Sequence, residues 1–122
     1  MSNIKAVIFD WDGVIVDSLR NEFKINNNIC VSFGGKRIAS LKAYKKVAHR
    51  WQEIYRSLSA EPDIVERCKS IFLKELKKTG SKVKIYPGID DVIIKLSKKF
   101  KIGIVSHNFR ESIQEILRRE RI

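Results

Sequence analysis

The chain has 122 residues and a formal net charge of +11, from 25 Lys and Arg residues against 14 Asp and Glu residues. This length suits one domain, with or without an insertion, and excludes a large multidomain enzyme. Its 43% of hydrophobic residues excludes global disorder, and apolar runs of at most four residues exclude a transmembrane helix. Because no basic segment followed by an apolar one comes after Met1, we expect a cytoplasmic protein.

The first half of the chain predicts one strand followed by helices. Ile4–Phe9 is a short β-branched and aromatic run that stops at Asp10, which indicates a buried strand. Val14–Val16 indicates a second, brief extended piece. Apolar residues then recur at helical spacing over 18–33 and over 38–58, which predicts one helix and then a long amphipathic helix.

The second half predicts helices around another strand. Pro62 stands where a helix can begin, and Gly80 marks the end of the helical pattern. A short helix is predicted over Ile89–Phe100, and a second buried strand over Ile102–Val105. The apolar spacing from Phe109 onwards predicts a last helix.

Strands that alternate with helices imply an α/β fold with a mostly parallel sheet. The helical stretch Leu19–Lys82 is too long for a single crossover between two neighbouring strands. We therefore interpret it as a helical subdomain inserted between two parts of one α/β core, residues 1–18 and 83–122.

The cysteines and the charge carry weaker signals. Cys30 and Cys68 cannot form the disulfide framework of a small secreted protein. Each lies on an apolar stripe without Cys or His at ligand spacing, which favours buried inert thiols over a zinc site. The basic residues are spread along the chain, so we interpret them as solvated surface. A phosphate-bearing small molecule is the next interpretation, and nucleic acid is disfavoured.

The strongest chemical signal is the segment DWDGVIVDS, which follows the first strand at positions 10–18. At the carboxyl end of a strand, Asp10 and Asp12 can converge on the crevice where α/β proteins bind ligands. Two such carboxylates can divide the roles of nucleophile, for Asp10, and general acid/base, for Asp12. Gly13 lets the chain turn away, and two acids suit Mg²⁺. A strand exit that carries Asp by chance is the competing interpretation, which the full segment disfavours.

This segment closely resembles motif I of the haloacid dehalogenase-like (HAD) hydrolase superfamily, most of all its phosphoglycolate phosphatase and β-phosphoglucomutase-like branch. The resemblance implies that Asp10 forms an aspartyl-phosphate and that Asp12 protonates the leaving group and then activates water. It also implies a Mg²⁺ ion held by the Asp10 carboxylate and the Asp12 backbone carbonyl. True dehalogenases lack the second Asp, so Asp12 favours phosphoryl transfer over cleavage of a carbon–halogen bond.

A second match follows the predicted strand Ile102–Val105, where Ser106, His107 and Asn108 are similar to motif II of the same family. The resemblance implies that Ser106 hydrogen-bonds the transferring phosphoryl oxygens. The backbone N–H groups of His107 and Asn108 would assist at a helix N-terminus. Asn108 suits a helix N-cap equally well.

The resemblance makes Leu19–Lys82 the helical cap that selects substrate, with Lys42, Lys45 and Arg50 among the cations that could meet an anion. Family members continue with a motif III Lys or Arg and a motif IV acidic pair. Residues 109–122 supply neither motif, so the resemblance implies a chain truncated after motif II and a parallel sheet that is incomplete in this chain. We expect open sheet edges, covered by a second copy or by a complementing chain.

Three hypotheses follow, in this order. The first is a Mg²⁺-dependent phosphatase of the HAD type that acts on a small phosphorylated metabolite, weakened or inactive without motifs III and IV. The second is a catalytically silent relative that binds a partner or oligomerises. The third, well behind, is a nucleic-acid-binding module drawn by the charge of +11.

Overall fold

The protein consists of two compact units in a computed structural model that describes residues 3–122. One unit joins the described residues up to Ser18 with Gly80–Ile122, and the other is Leu19–Thr79. The first unit contains the strands and the second is helical throughout. The predicted α/β class, with a parallel sheet that is incomplete in this chain, is confirmed.

The elements follow one another in a simple order. They are β1 (Ala6–Asp10), α1 (Leu19–Ser32), α2 (Leu41–Val47), α3 (Gln52–Arg56), α4 (Pro62–Thr79), α5 (Ile89–Ser97), β2 (Lys101–Val105) and α6 (Arg110–Arg119). Two short 3₁₀ turns, Ala48–Arg50 and Gly80–Lys82, complete the described secondary structure. The strands and the helices α1, α4, α5 and α6 lie close to their predicted positions.

The sheet of the α/β unit has two described strands, which pair in parallel. Ala6 lies opposite Lys101, and Asp10 lies opposite Val105. Because parallel strands run in the same direction, the carboxyl ends of β1 and β2 lie at the same edge of the sheet. The chain segments that follow Asp10 and Val105 therefore start side by side.

One face of the sheet packs on the core and the other is open. The packed face and the helices against it share large apolar side chains: Phe9, Trp11, Ile15, Val16, Val83, Ile93, Ile102, Ile104 and Ile116. On the opposite face, Ile8 is 68% exposed and Val105 is 63% exposed. The prediction of fully buried strands is wrong for this face, because the described chain places no layer against it.

The segment after β1 forms a tight turn instead of the predicted extended piece Val14–Val16. The N–H groups of Val14, Ile15 and Val16 all donate to the carbonyl of Trp11, at 3.0–3.3 Å. Only Val16 is extended, in an isolated antiparallel bridge with Ile85. The extended prediction is wrong for the two residues before it, since β-branched composition alone does not distinguish a buried turn from a strand.

In the helical unit, α1 and α4 confirm the helices predicted over 18–33 and from Pro62 to Gly80. The single long helix predicted over 38–58 is wrong. Ser40 caps α2, with its Oγ accepting from the N–H of Ala43 at 3.1 Å. The helix is then interrupted by the 3₁₀ turn Ala48–Arg50 before α3 begins.

A buried asparagine accounts for this interruption. The side chain of Asn26 is fully buried in α1 and donates its amide to the Tyr44 hydroxyl at 2.9 Å. Its carbonyl accepts from the Tyr55 hydroxyl. A continuous helix would place these tyrosines about 16 Å apart along its axis. The break between α2 and α3 brings both fully buried rings to one amide.

The cysteines lie in the core of the helical unit. Cys30 and Cys68 are both buried and free. Burial raises the pKa of each thiol above its ordinary value. The predicted burial of both thiols is confirmed, and their inertness stays a prediction, which the raised pKa favours.

The chain returns to the α/β unit at Gly80–Lys82, which the sequence interpretation placed within the insertion. Arg119 of α6 fixes this return by donating to the carbonyls of Ser81 and Val83 at 2.8 and 2.9 Å. Within residues 3–122, no helix combines the length and apolar character needed to cross a membrane.

Candidate active site

The site is built where β1 and β2 end together. Because Asp10 lies opposite Val105, the loop that carries Asp12 leaves the sheet beside the loop that carries Ser106 and Asn108. The carboxyl edge of a parallel sheet is where α/β proteins assemble ligand sites. The structure thus brings residues about a hundred positions apart in the chain to one edge.

Asp12 is the centre of this cluster. The Ser106 hydroxyl donates to Asp12 Oδ2 at 3.1 Å, and the Asn108 side-chain amide donates to Asp12 Oδ1 at 3.0 Å. All three side chains are half-buried. Two donors fix the orientation of the carboxylate, because each oxygen has its own partner.

The loop after β2 has its own internal order. The backbone N–H of Asn108 donates to Ser106 Oγ at 2.9 Å, and the N–H of Phe109 donates to Asn108 Oδ1 at 2.7 Å. The interpretation of Asn108 as a helix N-cap is wrong, since the N-cap of α6 is Phe109, without a side-chain cap bond. His107 is exposed at the tip of this loop.

Asp10 is exposed at the end of β1, and its Oδ1 accepts from the backbone N–H of Trp11 at 2.8 Å. The Trp11 side chain is fully buried in the core below, which anchors the strand end. Gly13 has a φ of 78°, a left-handed conformation that a side chain would strain. Its N–H donates to the Val16 carbonyl at 3.0 Å, closing the turn.

Sequence reasoning missed Gly80 as a neighbour of this cluster. A Cβ atom at Gly80 would lie 2.9 Å from Ser112 Oγ and 3.8 Å from Asn108 Oδ1. Gly80 therefore gives the first turn of α6 room to approach the returning chain. The sequence signal was present, but a glycine after a helix is explained equally well as a helix terminator.

A family model for haloacid dehalogenase-like hydrolases matches residues 7–122. The chain belongs to this family. The predicted resemblance is confirmed, including the phosphoglycolate phosphatase-like branch, since a curated phosphoglycolate phosphatase is among the relatives.

Two curated relatives and one solved structure illustrate the similarity. The phosphoglycolate phosphatase of Synechococcus elongatus is 29% identical over 120 residues, which cover 96% of this chain and 56% of the relative. The phosphonoacetaldehyde hydrolase of Paraburkholderia phytofirmans is 32% identical, over 96% of this chain and 51% of the relative. A haloacid dehalogenase-like hydrolase structure from Bacteroides fragilis has a TM-score of 0.78 at 21% identity, over 95% and 57% of the two chains.

The chain thus spans about half the length of the curated relatives it matches. The matched half contains the two strand ends described above. In this chain, the segments that are similar to motif I and motif II, residues 10–18 and 106–108, both lie in the α/β unit.

The oxygen donors of the site suit a hard cation such as Mg²⁺ by type. Asp10 presents an exposed carboxylate, whereas both Asp12 carboxylate oxygens are taken by Ser106 and Asn108. The described residues contain no cluster of three or more acidic, His or Cys side chains that could hold a metal. A Mg²⁺ ion bound here would keep several waters, which is its usual behaviour in proteins.

Proposed function

We propose that the protein acts in phosphoryl-ester hydrolysis, with Asp10 as the nucleophile and Asp12 as the general acid/base. The observation that carries the proposal is the Asp12 carboxylate held by Ser106 at 3.1 Å and Asn108 at 3.0 Å beside the end of β1. A fixed carboxylate next to an exposed one suits two roles that require different environments. Membership of the hydrolase family supports the same chemistry.

The reaction takes two steps. An Asp10 carboxylate oxygen attacks phosphorus, the bond to the ester oxygen breaks, and protonated Asp12 gives its proton to the leaving alcohol. A water molecule then attacks the phosphorus of the aspartyl-phosphate while Asp12 removes a proton from that water, and the bond between Asp10 and phosphorus breaks. The products are inorganic phosphate and a restored Asp10.

Ser106, His107, Asn108 and Gly13 are proposed to bind the phosphoryl group. The hydroxyl of Ser106 and the amide of Asn108 donate to Asp12 in the free protein, and would donate to phosphoryl oxygens instead when substrate binds. The Asn108 N–H is already donated to Ser106 Oγ, so the His107 N–H is the better backbone donor. Gly13 leaves the approach to the carboxylates free of a side chain.

Asp10 and the Asp12 carbonyl would hold Mg²⁺. The bound ion would offset the negative charge that two carboxylates and a phosphate bring together. The substrate is proposed to be a small phosphorylated metabolite, in line with the phosphorus-bearing compounds that name the two curated relatives.

The helical unit is proposed to serve as the substrate-selecting cap, in a cytoplasmic protein. Lys42, Lys45 and Arg50 are exposed and remain candidates for contacts with an anionic substrate. Single substitutions of these cations with Gln would test the role. A raised KM with unchanged kcat would identify a residue that binds the substrate and the transition state equally well.

The activity test compares Asp10→Asn with a matched control. Hydrolysis of p-nitrophenyl phosphate should require Mg²⁺ and should be lost in Asp10→Asn. Asp91→Asn removes the same charge from an exposed position of α5 and should leave the rate unchanged. Turnover that is independent of metal and survives Asp10→Asn would refute the proposed mechanism.

The open sheet favours a second candidate function, a silent relative that binds a partner. Ile8 and Val105 expose apolar area on a sheet with two described strands, and such sheets gain stability from neighbours. We propose that a complementing chain supplies adjoining strands. Sedimentation velocity of the isolated protein should then show a monomer that forms non-specific aggregates as its concentration rises. A stable homodimer would instead identify a second copy as the cover.

A further inference from the structure

We propose that the helical unit carries a binding pocket for a small organic oxyanion, between α1 and the loop that leads into α2. The pocket has a volume of about 480 Å³. Its lining consists of three cations, two amides and two apolar side chains: Arg20, Phe23, Lys24, Asn27, Asn28, Arg37 and Leu41. None of these residues takes part in the phosphoryl chemistry proposed above, so the two proposals stand or fall separately.

The helix α1 supplies one wall of the pocket. Arg20 and Lys24 are four residues apart, and Asn28 follows after four more, so all three lie on one face of the helix. Two like charges at this spacing repel each other and destabilise an isolated helix. An anion bound between them would reverse that repulsion.

The loop after α1 supplies the opposite wall, and a buried amide holds it in place. Asn27 is buried, and its Oδ1 accepts from the backbone N–H of Ile38 at 2.8 Å. Arg37 is the residue directly before this anchor. The start of α2 is fixed in turn by the cap at Ser40. The anchor at Ile38 thereby fixes the backbone next to Arg37, which lines the same pocket as Lys24.

The charge of the lining is one-sided. It contains no carboxylate, and neither Lys24 nor Arg37 forms an ion pair with any residue in the range 3–122. Guanidinium and ammonium groups that converge without an acid are the usual means of binding a phosphate or carboxylate group. The ligand is therefore anionic at the end that meets Lys24 and Arg37.

Phe23 and Leu41 indicate that the ligand also has an apolar body. Both are partly buried and line the same pocket as the cations. The pocket is an open groove, because its cations and Asn28 are exposed, so the apolar side chains would cover one side of a small ligand while the polar groups fix its orientation. We infer a phosphonate, phosphate ester or carboxylate attached to a short apolar group, the shared chemistry being the oxyanion.

The test titrates the full chain with phenylphosphonate, benzoate and inorganic phosphate by isothermal titration calorimetry. The double variant Lys24→Gln/Arg37→Gln should weaken phenylphosphonate binding about tenfold or more, because it removes two charge-assisted contacts. Lys74→Gln/Lys78→Gln lowers the net charge equally from exposed positions of α4 and should leave the affinity within about twofold. Comparison of phenylphosphonate with benzoate distinguishes a phosphate-type ligand from a carboxylate.

Two results would overturn the proposal. One is an equal loss of affinity in both double variants, which would show attraction by the overall charge alone. The other is saturable binding abolished by Ser106→Ala/Asn108→Ala but retained in Lys24→Gln/Arg37→Gln, which would assign the anion to the carboxyl ends of the strands. All altered side chains of the two lysine and arginine variants are exposed, so both proteins should keep the unfolding midpoint of the original chain.

Discussion

The hydrogen bond between Asp12 and Asn108 can be tested by a double-mutant cycle that does not depend on catalytic activity. The two residues are 96 positions apart and their side chains meet at 3.0 Å. A hydrogen bond to a charged group contributes about 1.5–3 kcal/mol. Because both side chains are half-buried and partly screened, we expect a coupling free energy of about 1 kcal/mol.

The cycle compares Asp12→Ala, Asn108→Ala and the double variant by urea denaturation. Asn108→Ala also removes the acceptor of the Phe109 N–H, at 2.7 Å, but that loss occurs on both sides of the cycle and cancels. The m-values should stay constant, since no large surface is exposed in the variants.

A second cycle, between Asp10 and Asn108, provides the control. The described hydrogen bond of the Asp10 carboxylate goes to the backbone of Trp11, not to Asn108. Because no described hydrogen bond joins the two side chains, the coupling of Asp10 to Asn108 should be smaller than that of Asp12. A coupling of Asp12 no larger than this control would refute the account of the site as a carboxylate fixed by two donors.

Three further outcomes are expected from the packing. Asn26→Ala should destabilise the protein by about 2–4 kcal/mol in urea denaturation, because it leaves two buried tyrosine hydroxyls without their shared amide; a loss below about 1 kcal/mol would contradict the role of that amide. Gly80→Ala should lower both the thermal midpoint and the Asp12–Asn108 coupling, because its Cβ would meet Ser112 Oγ at 2.9 Å; an unchanged midpoint would show that α6 yields freely. The free energy of unfolding should fall as the pH rises above 9.0, the ordinary pKa of a thiol, because Cys30 and Cys68 keep their protons in the folded state and lose them on unfolding. Denaturation series at neutral and alkaline pH check the last outcome, and the Cys30→Ala/Cys68→Ala variant should show a smaller decline.

Local patterns along the chain were sufficient for much of the fold. The two strands end where β-branched runs give way to Asp10 and Ser106, and α4 begins at Pro62, because these signals act over a few residues. The segment DWDGVIVDS likewise indicated the family without any structure, since its spacing is specific.

Other features depended on contacts between distant residues. The apolar periodicity over 38–58 fits one helix, yet the amide of Asn26 draws Tyr44 and Tyr55 together and the helix breaks between them. Asn108 looked equally suited to capping α6, but its amide donates to Asp12. Such choices are decided by partners that only the folded chain brings within reach.

The sequence by itself determined most of the element types, the family and the two segments that are similar to the family's motifs. The tertiary structure decided which side chains meet, that one face of the sheet stays open, and that Lys24 and Arg37 line one pocket. The physical reason is the distance along the chain over which each kind of interaction acts. Helical and strand periodicity are set by neighbours within a few positions, whereas a hydrogen bond or a pocket depends on how distant segments pack.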